Sequence, residues 1–322
     1  MKTRFIFNPC SGKNRRRPRL ASDLQAFIAA HKLDAAIVST ECPGHATDLA
    51  REALADGCER VVAVGGDGTM NEIAQALVGS PAALALVPCG SGNGLALHLG
   101  LPTRTRRALS LLADPAARIV RIDTGTANGH PFFNVMGLGF DAEISLRFNR
   151  LARRGFASYA RTGLAAFLGN HPDQVTVSDA NGTRKTLDAF IVAVANSDQY
   201  GNNARIAPGA CVDDGLLDLV AVRPPGLLGA IPLVGRLFLG NLDQSPRVWR
   251  LRSPGFAIER PAPGLIHTDG ETHMTEATVN VAVCPRSLNL LVPASCRIIS
   301  GDISRNQAIL QEVAEEAEKI NE

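Results

Sequence analysis

A β-branched run that stops dead at consecutive glycines constrains this chain more than any other feature. Val61–Val64 ends in Gly65-Gly66-Asp67-Gly68-Thr69, and Met70, Ile73, Ala74 and Leu77 then follow at helical spacing. The pattern reads strand, glycine turn, helix. Such a turn lets backbone N–H groups approach a phosphate, and the start of a helix favours negative charge. A carboxylate in the middle is out of place in a pure anion nest. Asp67 would repel phosphate unless a metal or a proton-transfer role offsets it. The stretch therefore points to nucleotide chemistry and not to binding alone.

The motif recurs. Leu84–Val87 leads into Pro88-Cys89-Gly90-Ser91-Gly92-Asn93-Gly94, and Arg4–Phe7 into Asn8-Pro9-Cys10-Ser11-Gly12-Lys13. Turns at the C-terminal ends of neighbouring parallel strands share the sheet edge at which open α/β sheets bind ligands. Lys13 is long enough to reach a phosphate. No Walker A spacing is present, nor a dinucleotide fingerprint with its acidic ribose partner. Helical signals at Leu20–His31, His45–Ala55 and Leu95–Leu99 and a further strand at Ala36–Ser39 complete a βαβα succession, which predicts a parallel sheet covered on both faces over residues 1–125.

From Ile119 the character changes. Strand-like runs follow at Ile119–Thr124, Phe132–Val135, Gln174–Ser178, Phe190–Ala195, Leu217–Val222, Val279–Val283 and Leu288–Leu291, punctuated by Gly, Pro and Asn. Residues 126–300 are expected to form a mainly antiparallel β domain, interrupted by a helical patch at Glu143–Leu168. The acidic, amphipathic tail within 301–322 reads as a terminal helix, expected to pack back on the first domain. The net charge of +2, the single Trp and the two Tyr leave neither a polyanion-seeking field nor a stacking platform, which argues against nucleic acid. Seven cysteines without a C-x-x-C pair read as free, mostly buried thiols of a reducing cytoplasm. No segment has the length and apolarity of a bilayer span.

Taken in order, NPCSGK, GGDGTMNE, PCGSGNGLA and HTDGE, with Thr40-x-x-x-Gly44-His45-Ala46 and Asn134-Val135-x-Gly137-x-Gly139-Phe140-Asp141, resemble the diacylglycerol kinase catalytic-domain family, which includes bacterial lipid kinases, sphingosine kinases and ceramide kinases. The resemblance covers nearly the whole chain; GGDGT alone is shared with NAD kinases. It implies an α/β domain and a β-sandwich domain with an ATP site between them. Asn8, Ser11, Gly12, Lys13 and Thr40 would line the nucleotide. So would the run Gly65, Gly66, Asp67, Gly68, Thr69, Met70, Asn71 and Glu72, with Gly90, Ser91, Gly92 and Asn93 as the far wall. Ser91-Gly92-Asn93-Gly94 is closer to the sphingosine and ceramide kinase form than to the diacylglycerol form, which carries an acidic residue where Gly94 stands.

The same resemblance offers two bases for a lipid hydroxyl proton, Glu271 as in related bacterial kinases and Asp67 as in sphingosine kinases; Glu271 is the expected one, with Asp269 and Asp67 as partners. Read from residues alone, Asp269-Gly270-Glu271 is a hairpin turn after a strand, a common exposed feature. Phosphoryl transfer needs alignment and charge neutralisation, so Mg²⁺ is expected with the ATP. The adjacent carboxylates of Val212-Asp213-Asp214-Gly215 suit a hard cation or a solvated turn equally. The resemblance implies a structural Mg²⁺ there, held by Asp214 and the carbonyls of Cys211 and Leu216. Two segments could meet a membrane. One is the basic amphipathic stretch with Arg147, Arg150, Arg153, Arg154 and Arg161; the other is Leu227–Leu239, apolar but for Arg236 and equally readable as a core helix. The expectation is an ATP- and Mg²⁺-dependent lipid kinase, cytoplasmic and peripheral at the inner membrane face, acting on a diacylglycerol-like or sphingoid lipid. A homodimer is the default assembly. An NAD kinase-like enzyme and a non-enzymatic lipid or nucleotide sensor are the alternatives.

Overall fold

The computed structural model describes residues 1–12, 14, 17, 19–139, 141–142 and 172–296. The first half is the expected α/β layer. Strands β1 (Thr3–Phe7), β2 (Ala35–Ser39), β3 (Arg60–Gly65) and β4 (Ala83–Pro88) run parallel in the order β2-β1-β3-β4. Helices α1 (Leu20–Ala30), α2 (His45–Ala55), α3 (Asp67–Leu77), α4 (Gly94–His98) and α5 (Thr105–Leu112) connect or follow them. Every residue of β3 and β4 is buried, which is why both read as unbroken apolar runs. β2, at the edge, is only half covered. Phe5, Ile6, Val62, Ile73, Leu77 and Leu84 form the centre of this core, each contributing about 1.5–3 kcal/mol by leaving water.

The second half comprises β5 (Arg118–Ala127), β6 (His130–Phe132), β7 (Val135–Gly139), β8 (Asp173–Asp179), β9 (Arg184–Ala189), β10 (Ile191–Ala195), β11 (Gln199–Gly201), β12 (Ala204–Arg205) and β13 (Leu217–Val222). Helix α6 (Gly226–Leu239) precedes β14 (Val248–Ser253), β15 (Gly255–Glu259), β16 (Gly264–Thr268), β17 (Glu271–Thr275) and β18 (Thr278–Val292). One face of the sandwich is the sheet β14-β13-β10-β7-β16-β17. The other contains β18, β15, β8 and β9. Alternate residues, among them Met136, Leu138, Val192, Val194 and Leu219 from one sheet and Val175, Val177, Phe256, Ile258 and Val279 from the other, meet as its core.

The two halves share one ten-stranded sheet. Residues 278–282 of β18 pair antiparallel with β15, while Asn289 and Leu290 pair parallel with β4, and β5 accompanies β18 along both segments. The sequence suggested two separate strands, Val279–Val283 and Leu288–Leu291. They are one strand with an irregularity between Cys284 and Leu288. At that irregularity Arg286 adopts φ +47°, and its N–H donates to Asp123 Oδ1 at 2.6 Å. The Gly215 N–H donates to Asp123 Oδ2 at 2.7 Å. Asp123, fully buried, thus ties β5, the bulge of β18 and the 211–216 loop together.

The expected strand Phe132–Val135 is also revised. It breaks at Phe133 and Asn134, whose N–H groups are taken by Asp269 and so cannot enter a ladder. All seven cysteines are free, as expected, but only Cys58, Cys89 and Cys296 are buried. Among the described residues no helix is long and apolar enough to cross a membrane. Lys13, the helical patch with its arginines at 147–161, and the terminal helix expected within 301–322 lie outside the described residues.

Asp123→Asn tests the junction. An amide can accept one of the two N–H groups but turns its own NH₂ toward the other, so a loss of about 1–3 kcal/mol is expected. Urea denaturation followed by circular dichroism reads this directly, and an unchanged midpoint would show the junction to be dispensable.

Candidate active site

The three glycine turns converge at the C-terminal ends of β1, β3 and β4, and they pack backbone on backbone. A Cβ on Gly90 would lie 2.8 Å from Gly66 Cα, and one on Gly12 would lie 2.3 Å from the Cys89 carbonyl oxygen. Real Cβ atoms do not approach so closely, so these glycines are required for the turns to touch one another. Contact between the turns, and not phosphate access alone, thus demands these glycines. Gly68 differs: a Cβ there would meet nothing within 4 Å. It lies exposed in the first turn of α3, where the helix start favours an anion.

Asp67 clasps the stack. Its Oδ2 accepts the Asn93 N–H and its Oδ1 the Gly94 N–H, both at 2.8 Å. Burial pushes its carboxyl above the ordinary range, and these N–H groups oppose the shift. The carboxylate in the anion nest thus answers to the neighbouring turn, which resolves the oddity of its position. On the same turn Asn93 closes on itself, its Oδ1 accepting the Gly90 N–H at 3.1 Å and its Nδ2 donating to the Gly90 carbonyl at 3.0 Å.

Other residues assigned to the nucleotide support the turns. Asn8 Nδ2 donates to Thr69 Oγ1 at 2.9 Å, joining the first turn to the start of α3. The Thr40 N–H donates to the Phe7 carbonyl at 2.9 Å, carrying β2 alongside the same turn. Ser11 Oγ lies 3.1 Å from the position a Gly66 Cβ would take. Met70 and Asn71 are buried in α3. Glu72 faces α2, where its Oε2 accepts the Ala46 N–H at 3.1 Å. His45 orders that helix start, its Nδ1 accepting the Glu41 N–H at 3.1 Å.

Asp269-Gly270 is the two-residue turn between β16 and β17, with φ of +51° and +88°. A type I′ hairpin demands this geometry, and Asp and Gly suit it. Asp269 is not a solvated turn residue. Its Oδ2 accepts the Phe133 N–H at 2.6 Å, and its Oδ1 accepts those of Asn134 and Val135 at 2.9 Å each. Burial nevertheless raises its carboxyl to about 6, against those three bonds and the nearby His267. Glu271, the first residue of β17, is exposed.

The turn is reached from Asp67 through two residues. Gly94, which donates to Asp67, has its Cβ position 3.3 Å from Asn134 Oδ1, and the Asn134 N–H donates to Asp269. Gly92 and Gly201 of β11 meet likewise, at 3.0 Å from the Gly201 Cβ position to Gly92 Cα. Asp67 and Asp269 are therefore linked through Gly94 and Asn134.

Several supporting residues carried no readable role in the sequence. His98 Nδ1, on α4, lies 2.7 Å from Asp198 Oδ1 across the junction of the halves. Ser197 Oγ donates to Asn134 Oδ1 at 3.0 Å. Behind the hairpin, the Tyr200 hydroxyl donates to Asp141 Oδ2 at 2.6 Å, and His267 Nε2 lies 2.9 Å from the same oxygen. His267 Nδ1 accepts the Gly270 N–H at 3.2 Å. A Cβ on Gly137 would fall 2.2 Å from Asp141 Oδ2, so the glycine of the Asn-Val-x-Gly run makes room for this carboxylate. Asn134, Gly137 and Asp141 were signalled by their motif and His267 by HTDGE; His98, Ser197 and Tyr200 depend on long-range pairing.

At the 211–216 loop, Asp214 pairs with Arg252 and accepts the Leu216 N–H at 3.0 Å, while Asp218 pairs with Arg250 at 2.6 Å. Cys211 Sγ donates to Asp213 Oδ1 at 3.1 Å, and burial with Asp213 holds that thiol up at about 12. Among the described residues no three His, Cys, Asp or Glu side chains gather as metal ligands. A hard cation at Asp214 would have to compete with a guanidinium already in place.

Asp269→Asn retains the left-handed turn but sets an NH₂ against one of three N–H donors. A loss of about 1–3 kcal/mol is expected at pH 7.5. The wild-type carboxyl has a folded pKa above its unfolded value, so its protonation stabilises the fold. That contribution is complete below pH 3.8 and is lost as the pH rises through about 6. The gap between wild type and variant should therefore widen toward pH 4 in urea titrations; a pH-independent gap would contradict the burial argument.

Comparison with known proteins agrees with this architecture. The family model described as "Diacylglycerol kinase catalytic domain" matches residues 2–127, and that of the "YegS C-terminal NAD kinase beta sandwich-like domain" matches residues 134–292. The Pseudomonas fluorescens Pf-5 protein named "Probable lipid kinase YegS-like" is 32% identical over 269 residues, 80% of this chain and 85% of that protein. A protein of the same name from Pseudomonas aeruginosa UCBPP-PA14 is 32% identical over 286 residues, covering 86% and 92%. In fold, the crystal structure of a diacylglycerol kinase from Bacillus anthracis str. Sterne matches with a TM-score of 0.69 at 20% identity, over 92% of this chain and 98% of that one. The chain belongs to the diacylglycerol kinase catalytic-domain family, among its YegS-like lipid kinases.

Proposed function

We propose that this chain transfers the terminal phosphoryl group of ATP to a hydroxyl of a diacylglycerol-like or sphingoid lipid at a membrane surface. The observation that carries the reading is the convergence of three glycine turns, clasped by Asp67, beside a hairpin that presents an acidic residue from the other half. The exposed first turn of α3 at Gly68 suits the phosphates, since helix-start N–H groups and the macrodipole favour negative charge. Mg²⁺ accompanying the nucleotide would neutralise phosphate charge, the main requirement of phosphoryl transfer.

In this reading Glu271 takes the hydroxyl proton, because it is the exposed carboxylate of the hairpin and Asp269 is committed to three N–H groups. Asp269 acts by fixing the turn on which Glu271 stands. Asp67 acts by setting the spacing of the second and third turns. The Tyr200–Asp141–His267 network braces the hairpin from behind, so that a general base stands at a fixed place.

The test incubates purified protein, labelled ATP and Mg²⁺ with diacylglycerol, sphingosine, ceramide and NAD in mixed micelles. Label in a lipid is expected; label in NAD alone would overturn the proposal. Glu271→Gln should lower kcat by about 10²-fold or more with an unchanged circular dichroism spectrum. Asp67→Asn should raise KM for ATP by about tenfold, since the turns lose one N–H acceptor. Near-normal turnover by the Glu271 variant would remove that residue as the base.

A further inference from the structure

Helix α6 has apolar residues on both its faces. Leu233 and Leu237 pack inward against Ile206, Val222, Leu242 and Val248. On the outer side Ile231 is 73% exposed, Val234 55%, Phe238 38% and Leu239 78%. Residues 231, 234 and 238 recur at helical spacing, so they form a stripe and not scattered exceptions. Between Gly226 and Leu239 the single charged residue is Arg236. A surface helix of a water-surrounded domain carries polar residues on its outer face. One that does not marks a docking surface.

The charges at the rim identify what docks. Arg247 Nε lies 3.5 Å from the position of a Gly229 Cβ, against the N-terminal half of the helix. Arg205 Cδ lies 3.0 Å from that of a Gly240 Cβ, at the other end. Arg223 is exposed just before the helix, and Arg236 Nη1 donates to the Asn241 carbonyl at 3.3 Å in its last turn. An apolar stripe between arginines matches a bilayer interface, acyl chains beneath and anionic headgroups at the side. A second copy of the chain fits poorly. A two-fold contact would set this patch against itself and bring arginine toward arginine.

We infer that α6 is a membrane-docking element that lies in the surface of an anionic bilayer, with Ile231, Val234, Phe238 and Leu239 among the acyl chains and Arg205, Arg223, Arg236 and Arg247 at the headgroups. The helix adjoins the candidate site. Arg205 belongs to β12, β12 pairs with β11, and Gly201 of β11 touches Gly92 of the third glycine turn. Docking by α6 thus brings a bilayer toward the third glycine turn. This goes beyond the proposed reaction, and insertion is measured without ATP.

The test is co-sedimentation of the full chain, residues 297–322 included, with vesicles of phosphatidylcholine containing phosphatidylglycerol and with phosphatidylcholine alone. Wild type should bind the anionic vesicles and bind the neutral ones weakly. Ile231→Asp with Leu239→Asp should lower binding by about tenfold or more, and Arg223→Gln with Arg247→Gln should remove the preference for anionic lipid. Both sites of the first pair are exposed, so circular dichroism should be unchanged. No binding by the full chain, or binding indifferent to the aspartates, overturns the inference. So does self-association in analytical ultracentrifugation that the same aspartates abolish. A chain that inserts through α6 yet transfers no phosphate would refute the proposed reaction and uphold this inference.

Discussion

Two hydrogen bonds from the second half of one turn to the middle residue of another set the geometry on which the rest depends. The Asn93 and Gly94 N–H groups reach Asp67, and the turns then lie so close that Gly66 and Gly90 meet through their backbones. No side chain separates them, so no side chain can absorb a displacement. Gly94 in turn abuts Asn134, and Asn134 is bound to Asp269. The position of the hairpin relative to the glycine turns is thus relayed through backbone groups and short polar side chains with little freedom of their own.

Polar contacts cross where the halves meet, alongside apolar ones such as Phe133, Leu288 and Leu290. His98 faces Asp198, Asn196 donates to the carbonyls of Asp123 and Phe133, and Asp123 accepts from Arg286 and Gly215. Buried polar groups are costly unless satisfied, and satisfied ones specify a single arrangement. The same logic explains why the acidic residues of the site differ so much in role. Asp67, Asp123 and Asp269 hold backbone, whereas Glu271 stands in solvent at the hairpin.

Much of the architecture was legible because local rules agreed with global ones. β3 and β4 are buried on both faces, so their sequences are continuous apolar runs, and the turns after them contain the glycines that close packing demands. The Asp269-Gly270 hairpin was legible for the same reason, since its backbone conformation restricts the residue choice. The unity of β18 was hidden. Cys284-Pro285-Arg286-Ser287 looks like a loop by composition, and only the N–H acceptor offered by Asp123, 163 positions earlier, keeps the strand continuous through it. The pairing of Tyr200 with Asp141 was hidden likewise, because it crosses 59 positions in the chain. The outer face of α6 was ambiguous: apolar composition on all sides suits a core helix as well as a membrane-facing one, and only solvent exposure separates them.

The shared ten-stranded sheet bears on how such a protein could have arisen. β4 has β18 as its neighbour, and β18 is the last strand described, so the parallel layer is completed by residues from the far end of the chain. Severing the gene after β5 would leave the α/β part with a naked strand margin, open to pairing with any other chain. The two parts are therefore poor candidates for recombination as independent cassettes. Fusion and insertion should be tolerated at loops away from β18, and inheritance of the pair as a unit is what the backbone itself enforces.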